Sequence, residues 1–478
     1  MNKIFKYLTA VKVIGVLIII IQVGCKKFVE VSDPVTGTSA SIVYANDATA
    51  ISVLSGIYTK ISQDGINGGI GSLSYIPGLS SDELILFKGN TNISLNGYYK
   101  NNLTSSTTGN FDYWNQCYPI IYIANSAIEG ITSSSSLSAA VRKQLLGEAK
   151  FIRAFYYFYL VNLYGDVPLA LTTDNVVNSQ LSRSPKSEVY RQIVSDLIDA
   201  KNLLSKNFLN AKLTITPDER TSPTRWAASA LLARTYLYNK EYSKAQLESD
   251  LTINNSLFEI AEINDVFLRT SKEAIWQIQP VGSFITNTTD ARLFMLPAGG
   301  PNITTFPVYL SDNLIKAFEP GDKRLTNWVK TVTVGGVTYP YGYKYKVKAF
   351  SSPVSEYTMV LRLAEQYLIR AEAKAELGDA LGAVMDLNVV RKRGGLGDYL
   401  GMTDRLSLLS AIFHERQIEF FSEWGQRWLD LKRTGMSGTV LQLIKDKNWQ
   451  NTDNLYPIPQ SEINKNPRLV GNQNPGYN

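Results

Sequence analysis

Four carboxylates near the carboxyl end of the chain, Glu415, Glu419, Glu423 and Asp430, could in principle hydrolyse a glycosidic bond. That reaction needs two carboxyl groups roughly 5 to 10 Å apart, one of them with a raised pKa. The same stretch, 415–433, also contains three arginines and a lysine. Because neighbouring cations keep carboxylates ionised, the pattern favours a structural ion-pair network. A surface hydrolase remains the alternative interpretation.

The sequence contains few residues that could form another kind of catalytic site or a metal site. His414 is the single histidine, and Ile418 occupies the position where a helical zinc motif would have its second histidine. The glycines of RKRGGLGDYLG lack the Lys-Ser/Thr ending of a phosphate-binding loop, and they follow a helical pattern rather than a strand. We therefore expect a non-enzymatic protein with no metal and no cofactor.

Aromatic residues in loops are better candidates for binding. The apolar face of a pyranose stacks on an aromatic ring, while Asn, Asp and Gln side chains bond its hydroxyls. The run FIRAFYYFYLVNLY has helical spacing and is predicted to fill a core instead. Two segments rich in Gly, Ser, Asn and Pro, 62–110 and 283–309, are predicted to form ligand-binding loops. Their candidate ring residues are Tyr75, Phe87, Tyr98, Tyr99, Phe284, Phe294 and Phe306.

The amino terminus has the pattern of an export signal that ends at a cysteine. Lys3, Lys6 and Lys12 precede an apolar run over 13–21, which is far shorter than the roughly 20 residues of a membrane-spanning helix. Because small Gly24 precedes Cys25, we expect residues 1–24 to be a lipoprotein signal peptide and Cys25 to be lipidated. A plain secretory signal with a leftover cysteine is the alternative. Residues 25–40 lack periodicity and are predicted to be a flexible tether.

Composition limits the remaining possibilities. The chain has 478 residues and a net charge of +6, to which the signal peptide contributes three lysines. No basic run suggests a nucleic-acid partner. The two cysteines are Cys25 and Cys117, so a lipidated Cys25 leaves no internal disulfide, and stability must come from a large buried core.

Two stretches predict the same helix–turn–helix unit. They are SPTRWAASALLARTYLYNKEYSKAQLE and EQYLIRAEAKAELGDALGAVMDLNVVRKRGG, and each has alanines twelve residues apart, Ala233 with Ala245 and Ala371 with Ala383. This is the spacing of the small contact residues in a tetratricopeptide hairpin, although any αα-hairpin with small contact residues would fit.

The region between these units, 256–355, has a different character. Short β-branched runs alternate with Gly, Pro and Asn stretches, which predicts short strands and long loops. The pair Gly335-Gly336 lies between two such runs and indicates a β-hairpin turn. Together, these patterns predict helical hairpins combined with long loop-rich and short-strand regions, and the length alone leaves the number of domains open.

Five stretches in the same order resemble the SusD/RagB family of surface lipoproteins. They are GEAKFIRAFYYFYLVNLYGDVPL (147–169), LRLAEQYLIRAEAKAELGD (361–379), LNVVRKRGG (387–395), ERQIEFFSEWGQRWLDLKRTG (415–435) and LYPIPQSEINKNP with NQNPGY (455–477). The resemblance implies a mainly α fold, a single globule over 41–478 built on tetratricopeptide-like helical hairpins with long loop-rich and short-strand insertions, which agrees with the two alanine-spaced hairpins. Its N-terminal part would span about 41–255 and its C-terminal part about 256–478.

The resemblance also implies a location and a role. Family members are anchored by lipid to the outer membrane, face the cell exterior and pair with a SusC-like TonB-dependent transporter. The expected function is therefore capture of glycan fragments and their delivery to that transporter. Peptide capture of the RagB type is an alternative, and so is a structural tetratricopeptide adaptor without a small ligand.

Overall fold

The computed structural model of the protein describes residues 43–63, 65–67, 69–217, 219–282, 287–349, 353–445 and 449–477. Within these ranges the chain is mainly α-helical with a few short strands, which confirms the predicted fold class. The expected signal peptide, Cys25 and the tether lie outside the described residues, and so does Phe284.

The elements are numbered here in chain order. The helices are α1 (Asp47–Gln63), α2 (Ile76–Ser80), α3 (Ile93–Lys100), α4 (Tyr113–Ser133), α5 (Ala139–Tyr164), α6 (Asn175–Asn178), α7 (Lys186–Leu203), α8 (Arg225–Tyr238), α9 (Tyr242–Ile253), α10 (Thr289–Phe294), α11 (Asp312–Ala317), α12 (Lys323–Trp328), α13 (Leu363–Leu377), α14 (Ala380–Arg393), α15 (Arg405–Phe420), α16 (Gln426–Arg433), α17 (Ser437–Leu441) and α18 (Gln460–Lys465). The strands are β1 (Leu84–Leu86), β2 (Ala274–Ile278), β3 (Val308–Leu310), β4 (Val329–Val334), β5 (Val337–Gly342) and β6 (Thr358–Arg362).

The long helices stack side by side. Helix α5 packs on α4 and α7, α8 packs on α7 and α9, and α9 packs on α13, which in turn contacts α14 and α15. The predicted alanine-spaced hairpins are α8–α9 and α13–α14. The four alanines, Ala233, Ala245, Ala371 and Ala383, are fully buried. Their small side chains allow the paired helices to approach closely, as the tetratricopeptide-like spacing predicts.

Helix α5 forms the centre of the core. The Ser138 side chain accepts a hydrogen bond from the Val141 amide at its start, and Gly165, with φ of 74°, ends it. Every residue from 151 to 164 is buried, so the predicted core role of the aromatic run is confirmed. Edge-on ring contacts join this helix to β2, with Trp276 5.0 Å from Phe151 between ring centroids.

The strands form three two-stranded antiparallel sheets, β1–β3, β2–β6 and β4–β5. The β4–β5 hairpin turns at Gly335 and Gly336, whose φ values of 57° and 81° suit glycine, and the turn predicted there is confirmed. The β1–β3 sheet pairs Leu84 with Leu310. It therefore places part of the 62–110 segment beside the end of the 283–309 segment.

One hydrophobic core cluster includes side chains from Tyr44 to Tyr477, and a smaller cluster lies within α13, α14 and α15. Among the described residues, none of the helices combines the length and the apolar character needed to cross a bilayer.

Candidate ligand-binding site

The β1–β3 sheet presents one row of side chains to the surface. Along β3, Val308 and Leu310 are buried and Tyr309 between them is half-buried, because alternate side chains of a strand point to opposite faces. Tyr309 pairs with Ile85, which is also half-buried, and Phe87 continues the same row just beyond β1. The sheet thus fixes the direction of two rings.

Strand β5 adds further rings to this surface. Tyr339 and Tyr341 are half-buried and alternate with buried Pro340, in keeping with the strand period. The ring of Tyr339 lies 5.1 Å from that of Tyr309 and 6.0 Å from that of Phe87, both in edge-on geometry. These contacts join the hairpin to the β1–β3 sheet.

Tyr99, at the end of α3, completes the group, and we call Phe87, Tyr99, Tyr309 and Tyr339 the aromatic face. Burial, followed by the proximity of Tyr99 and Tyr339, raises the pKa of Tyr309. Its phenol therefore stays neutral and can both donate and accept hydrogen bonds. The ammonium of Lys445 lies 4.5 Å from the centre of the Tyr99 ring and donates to the Leu79 carbonyl at 2.7 Å.

The loop before β3 borders the aromatic face. It is held to the other segment by Asn90, whose side-chain amide donates to the Ile303 carbonyl at 2.8 Å. The Asn302 carboxamide oxygen accepts from the Thr305 amide at 2.7 Å, which fixes the turn ahead of Phe306. Phe306 is half-buried, and the Lys348 ammonium lies 4.0 Å from its ring centroid. The border therefore contains both rings and polar side chains.

A close approach fixes this loop against the hairpin. Gly300 has φ of 74°, and a Cβ atom placed there would lie 3.0 Å from Val334 Cγ2 on β4. Such a contact is tighter than side chains normally allow, so glycine lets the loop lie directly on the hairpin.

Three of the seven predicted binding rings are buried in the structure and do not lie on its surface. Tyr75 is 1% exposed and Phe294 is 6% exposed, and their rings contact each other with centroids 5.9 Å apart. Tyr98 is fully buried, edge-on to Tyr456 at 5.1 Å. These rings are buried because short helices of the two segments pack them into the core, which removes their apolar surface from water. Phe284 lies outside the described residues.

The remaining three candidates, Phe87, Tyr99 and Phe306, are half-buried on the same side of the molecule, and their role in binding stays a prediction. Sequence reasoning did not propose the tyrosines of the β4–β5 hairpin. The sequence does contain a signal for them, because Tyr339, Tyr341 and Tyr343 are spaced two residues apart and would share one face of a strand.

The segment 62–110 is more compact than a loop. It contains α2, α3 and β1, and most residues from 71 to 84 are buried. The side chain of Asn92 caps α3 by accepting from the Leu95 amide at 3.0 Å, and Leu95 and Tyr98 form its buried side. Only its later portion, from Phe87 to Tyr99, contributes rings to the aromatic face.

The carboxylates of α15 and α16 lie in a separate, buried region. Glu415 is 1% exposed and Glu419 is fully buried, and the guanidinium of Arg324 donates to both, at 2.6 Å and 2.9 Å. Arg362 and Arg393 also contact Glu419. The predicted ion-pair network is confirmed.

Burial raises the pKa of Glu415 although Arg324 lowers it, whereas arginines lower the pKa of two other carboxylates in this network. Burial alone would raise the pKa of Glu419, but Arg393, Arg362 and Arg324 hold it well below its usual value. Asp430 behaves in the same way beside Arg416 and Arg433. Both carboxylates are therefore buried and ionised in ion pairs. Among the described residues, no group of three His, Cys, Asp or Glu side chains is placed to hold a metal ion.

Comparisons with known proteins agree with this architecture. Residues 79–237 match the SusD-like family described as "Starch-binding associating with outer membrane", and residues 337–477 match the SusD family. A SusD-like protein of Formosa agariphila is 28% identical over 76% of this chain and 80% of its own length. A second SusD-like protein of that organism is 24% identical over 97% and 99%. The starch-binding protein SusD of Bacteroides thetaiotaomicron is 24% identical over 73% and 74%.

Solved structures share the fold along nearly the whole chain. A SusD superfamily protein of Bacteroides vulgatus superimposes with a TM-score of 0.76 at 22% identity, covering 89% of this chain and 98% of its own. A surface glycan-binding protein of Bacteroides uniformis gives 0.73 at 20% identity, covering 90% and 99%. A laminarin-binding SusD-like protein gives 0.73 at 21% identity, covering 91% and 100%. These structures show the shared fold, and the two family matches over 79–237 and 337–477 place the chain in the SusD/RagB family.

Proposed function

We propose that this protein captures glycan fragments at the cell surface by stacking sugar rings on the aromatic face. The observation that carries the proposal is the convergence of Phe87, Tyr309 and Tyr339, from three separate segments, into one group of half-buried rings. A partly exposed ring offers the apolar patch that a pyranose covers, and nearby phenols and amides can bond its hydroxyls.

The named functions of relatives support glycan as the ligand class. One relative is a starch-binding protein, and two structural neighbours bind surface glycan and laminarin according to their names. The anchoring and delivery steps belong to the same proposal. Cys25 would carry the lipid that holds the protein at the outer membrane, and a SusC-like TonB-dependent transporter would receive the ligand.

The protein would bind its ligand without cleaving it. Glycoside hydrolysis requires a carboxylic acid that reaches the glycosidic oxygen. The side chains of Glu415 and Glu419 are buried and engaged by arginines, which supports a structural role for both.

Peptide remains the second candidate ligand because the aromatic face contains no tryptophan. Six of the seven tryptophans are buried, and the seventh, Trp226, donates from its indole to the Lys206 carbonyl at 2.9 Å. Tryptophan offers the largest ring surface for stacking on a sugar, so its absence from the face leaves peptide side chains as a possible match.

A binding screen separates these candidates. The purified chain would be tested against neutral polysaccharides, oligosaccharides and peptide pools by affinity electrophoresis and thermal shift. We expect retardation by at least one polysaccharide and its loss in the Tyr309→Ala/Tyr339→Ala variant. Binding of peptides alone would identify peptide as the ligand class in place of glycan. Equal retardation of the wild type and of the double variant would contradict the assignment to the aromatic face.

A further inference from the structure

A second surface feature lies away from the aromatic face. A cleft of about 640 Å³ opens between the end of α5, the start of α7, the end of α8, helix α16 and the carboxyl-terminal segment. Five cationic side chains line it, and we call it the basic cleft. They are Arg183, Lys186, Lys240, Lys432 and Arg433. Asp166 is the one acidic residue of the lining.

The cations of the basic cleft are poorly neutralised. Arg433 contacts Glu372 and Asp430. The other four, Arg183, Lys186, Lys240 and Lys432, have no carboxylate within 4.0 Å among the residues that the structure describes. This contrasts with the α15–α16 region, where several arginines share each buried carboxylate.

Lys432 is the most constrained of these groups. It is half-buried, its ammonium donates to the Asn162 carbonyl and lies 5.4 Å from the Trp428 ring. An ammonium has three N–H donors, so this contact leaves donors for another acceptor. Burial and then the charge of Lys186 lower the pKa of Lys432 well below its usual value. A bound anion would compensate the Lys432 ammonium both for its burial and for its repulsion by Lys186.

The single carboxylate of the lining is already engaged. The Asp166 side chain accepts from the Lys186 amide at 2.7 Å, which caps the first turn of α7. Arg183 donates to the Asp166, Tyr164 and Asn472 carbonyls, so it is a fixed charge whose hydrogen bonds are largely used. The partial positive charge at the start of the 18-residue helix α7 adds to the potential.

We propose that the basic cleft binds a sulfate or phosphate group. Three lysines approach from different elements, Lys186 from α7, Lys240 from the α8–α9 turn and Lys432 from α16. Lysine acts as a point charge that suits a tetrahedral oxyanion approached from several sides. The group could belong to an acidic glycan or be a free ion. The proposal goes beyond neutral glycan capture and does not depend on it.

The test uses inorganic sulfate, glucose 6-sulfate and glucose 6-phosphate as probes. The melting temperature of the purified chain would be followed during titration with each probe, against sodium chloride at matched ionic strength. We expect a saturable rise, and at least a roughly tenfold weaker apparent affinity in Lys186→Gln/Lys432→Met. Lys143→Gln, an exposed lysine of α5, is the matched control and should respond as the wild type does.

A second variant separates the loss of a charge from a loss of folding. Lys240 is exposed with φ of 60°, a conformation that asparagine tolerates, so Lys240→Asn removes the charge without a cost to the fold. It should weaken the response several-fold. A stronger response to a sugar ester than to inorganic sulfate would identify the glycan as the source, and equal responses would identify the free ion. No response above chloride, or an equal response in every variant, would overturn the proposal.

Discussion

The α15–α16 region and the aromatic face both concentrate side chains that could perform chemistry, but they differ in exposure and in pairing. In the first, Glu419 is fully buried and three arginines contact it. In the second, Tyr309 and Tyr339 remain half-buried and contact mainly other rings. The first region belongs to the family-like motif 415–435, whereas the second belongs to no motif. Recognisable motifs here build the scaffold, and motif-poor segments build the surface that we propose binds the ligand.

The largest predicted effect is a loss of stability from a substitution in the α15–α16 region. Replacing Glu419 by Gln leaves Arg324, Arg362 and Arg393 without their shared buried charge. We expect a loss of roughly 3–5 kcal/mol in the free energy of unfolding, measured by chemical denaturation. Glu259→Gln is the matched control, since its partner Lys272 and Glu259 itself are both largely exposed. Equal stability of the two variants would show that the buried network is not structural.

The contribution of Glu148 to stability should change with pH in the opposite direction to that of Glu419. Glu148 accepts from Tyr58 and Gln144, and burial raises its pKa to about 7. Because the folded pKa lies above the unfolded value of 4.5, its contribution is full below pH 4.5 and is lost as pH rises through 7. Glu419, whose pKa is lowered, contributes above 4.5 and loses that contribution as pH falls.

The measurement for Glu148 is the free energy of unfolding from pH 4.5 to 8 in the wild type and in Glu148→Gln. The difference between them should change by up to roughly 3 kcal/mol across this range, since each pKa unit corresponds to about 1.4 kcal/mol. A constant difference would mean that the fold does not raise the pKa of Glu148 above its unfolded value.

A substitution in the β4–β5 hairpin, which contributes Tyr339 to the aromatic face, should have a smaller effect. An added methyl group at Gly336 would meet no atom within 4 Å, so Gly336→Ala tests backbone conformation alone at φ of 81°. We expect a local cost of about 1–2 kcal/mol, seen as faster amide exchange in the hairpin. Gly397→Ala is the control, because that site is also open and has no positive φ. Unchanged exchange would mean that the turn adapts without strain.

The smallest effect should come from Tyr75→Phe. The Tyr75 hydroxyl is buried and has no hydrogen-bond partner among the residues that the structure describes, so its removal should leave stability unchanged or slightly raised. Ligand affinity should also be unchanged, since the ring is in the core. A clear loss of affinity would return Tyr75 to the binding site.

Local patterns predicted much of the scaffold. The alanine spacing identified the α8–α9 and α13–α14 hairpins, and Gly335-Gly336 located the β4–β5 turn, because these signals act within a few residues. The pairing of Leu84 with Leu310 joins positions more than 200 residues apart, and no local pattern specifies it. The aromatic face depends on that pairing, so its composition could not be predicted.

The burial of rings that were expected to be exposed has a physical origin as well. Gly- and Asn-rich composition suggested exposed loops, but short helices such as α2 and α3 place Tyr98 in the core and Tyr75 beside Phe294. In α3 the spacing of Leu95 and Tyr98 by three residues predicts a shared buried side. The adjacent Tyr99 points elsewhere on the helix and remains half-buried.

The central claim is that the aromatic face, not the carboxylate region, binds the ligand. Its most direct test is calorimetric titration of an oligosaccharide that binds in the screen into the wild type and into Tyr309→Ala/Tyr339→Ala. The account predicts at least a roughly tenfold loss of affinity, since stacking on one ring contributes on the order of 1 kcal/mol or more. The melting temperature should change little. Unchanged affinity in the double variant would contradict the account.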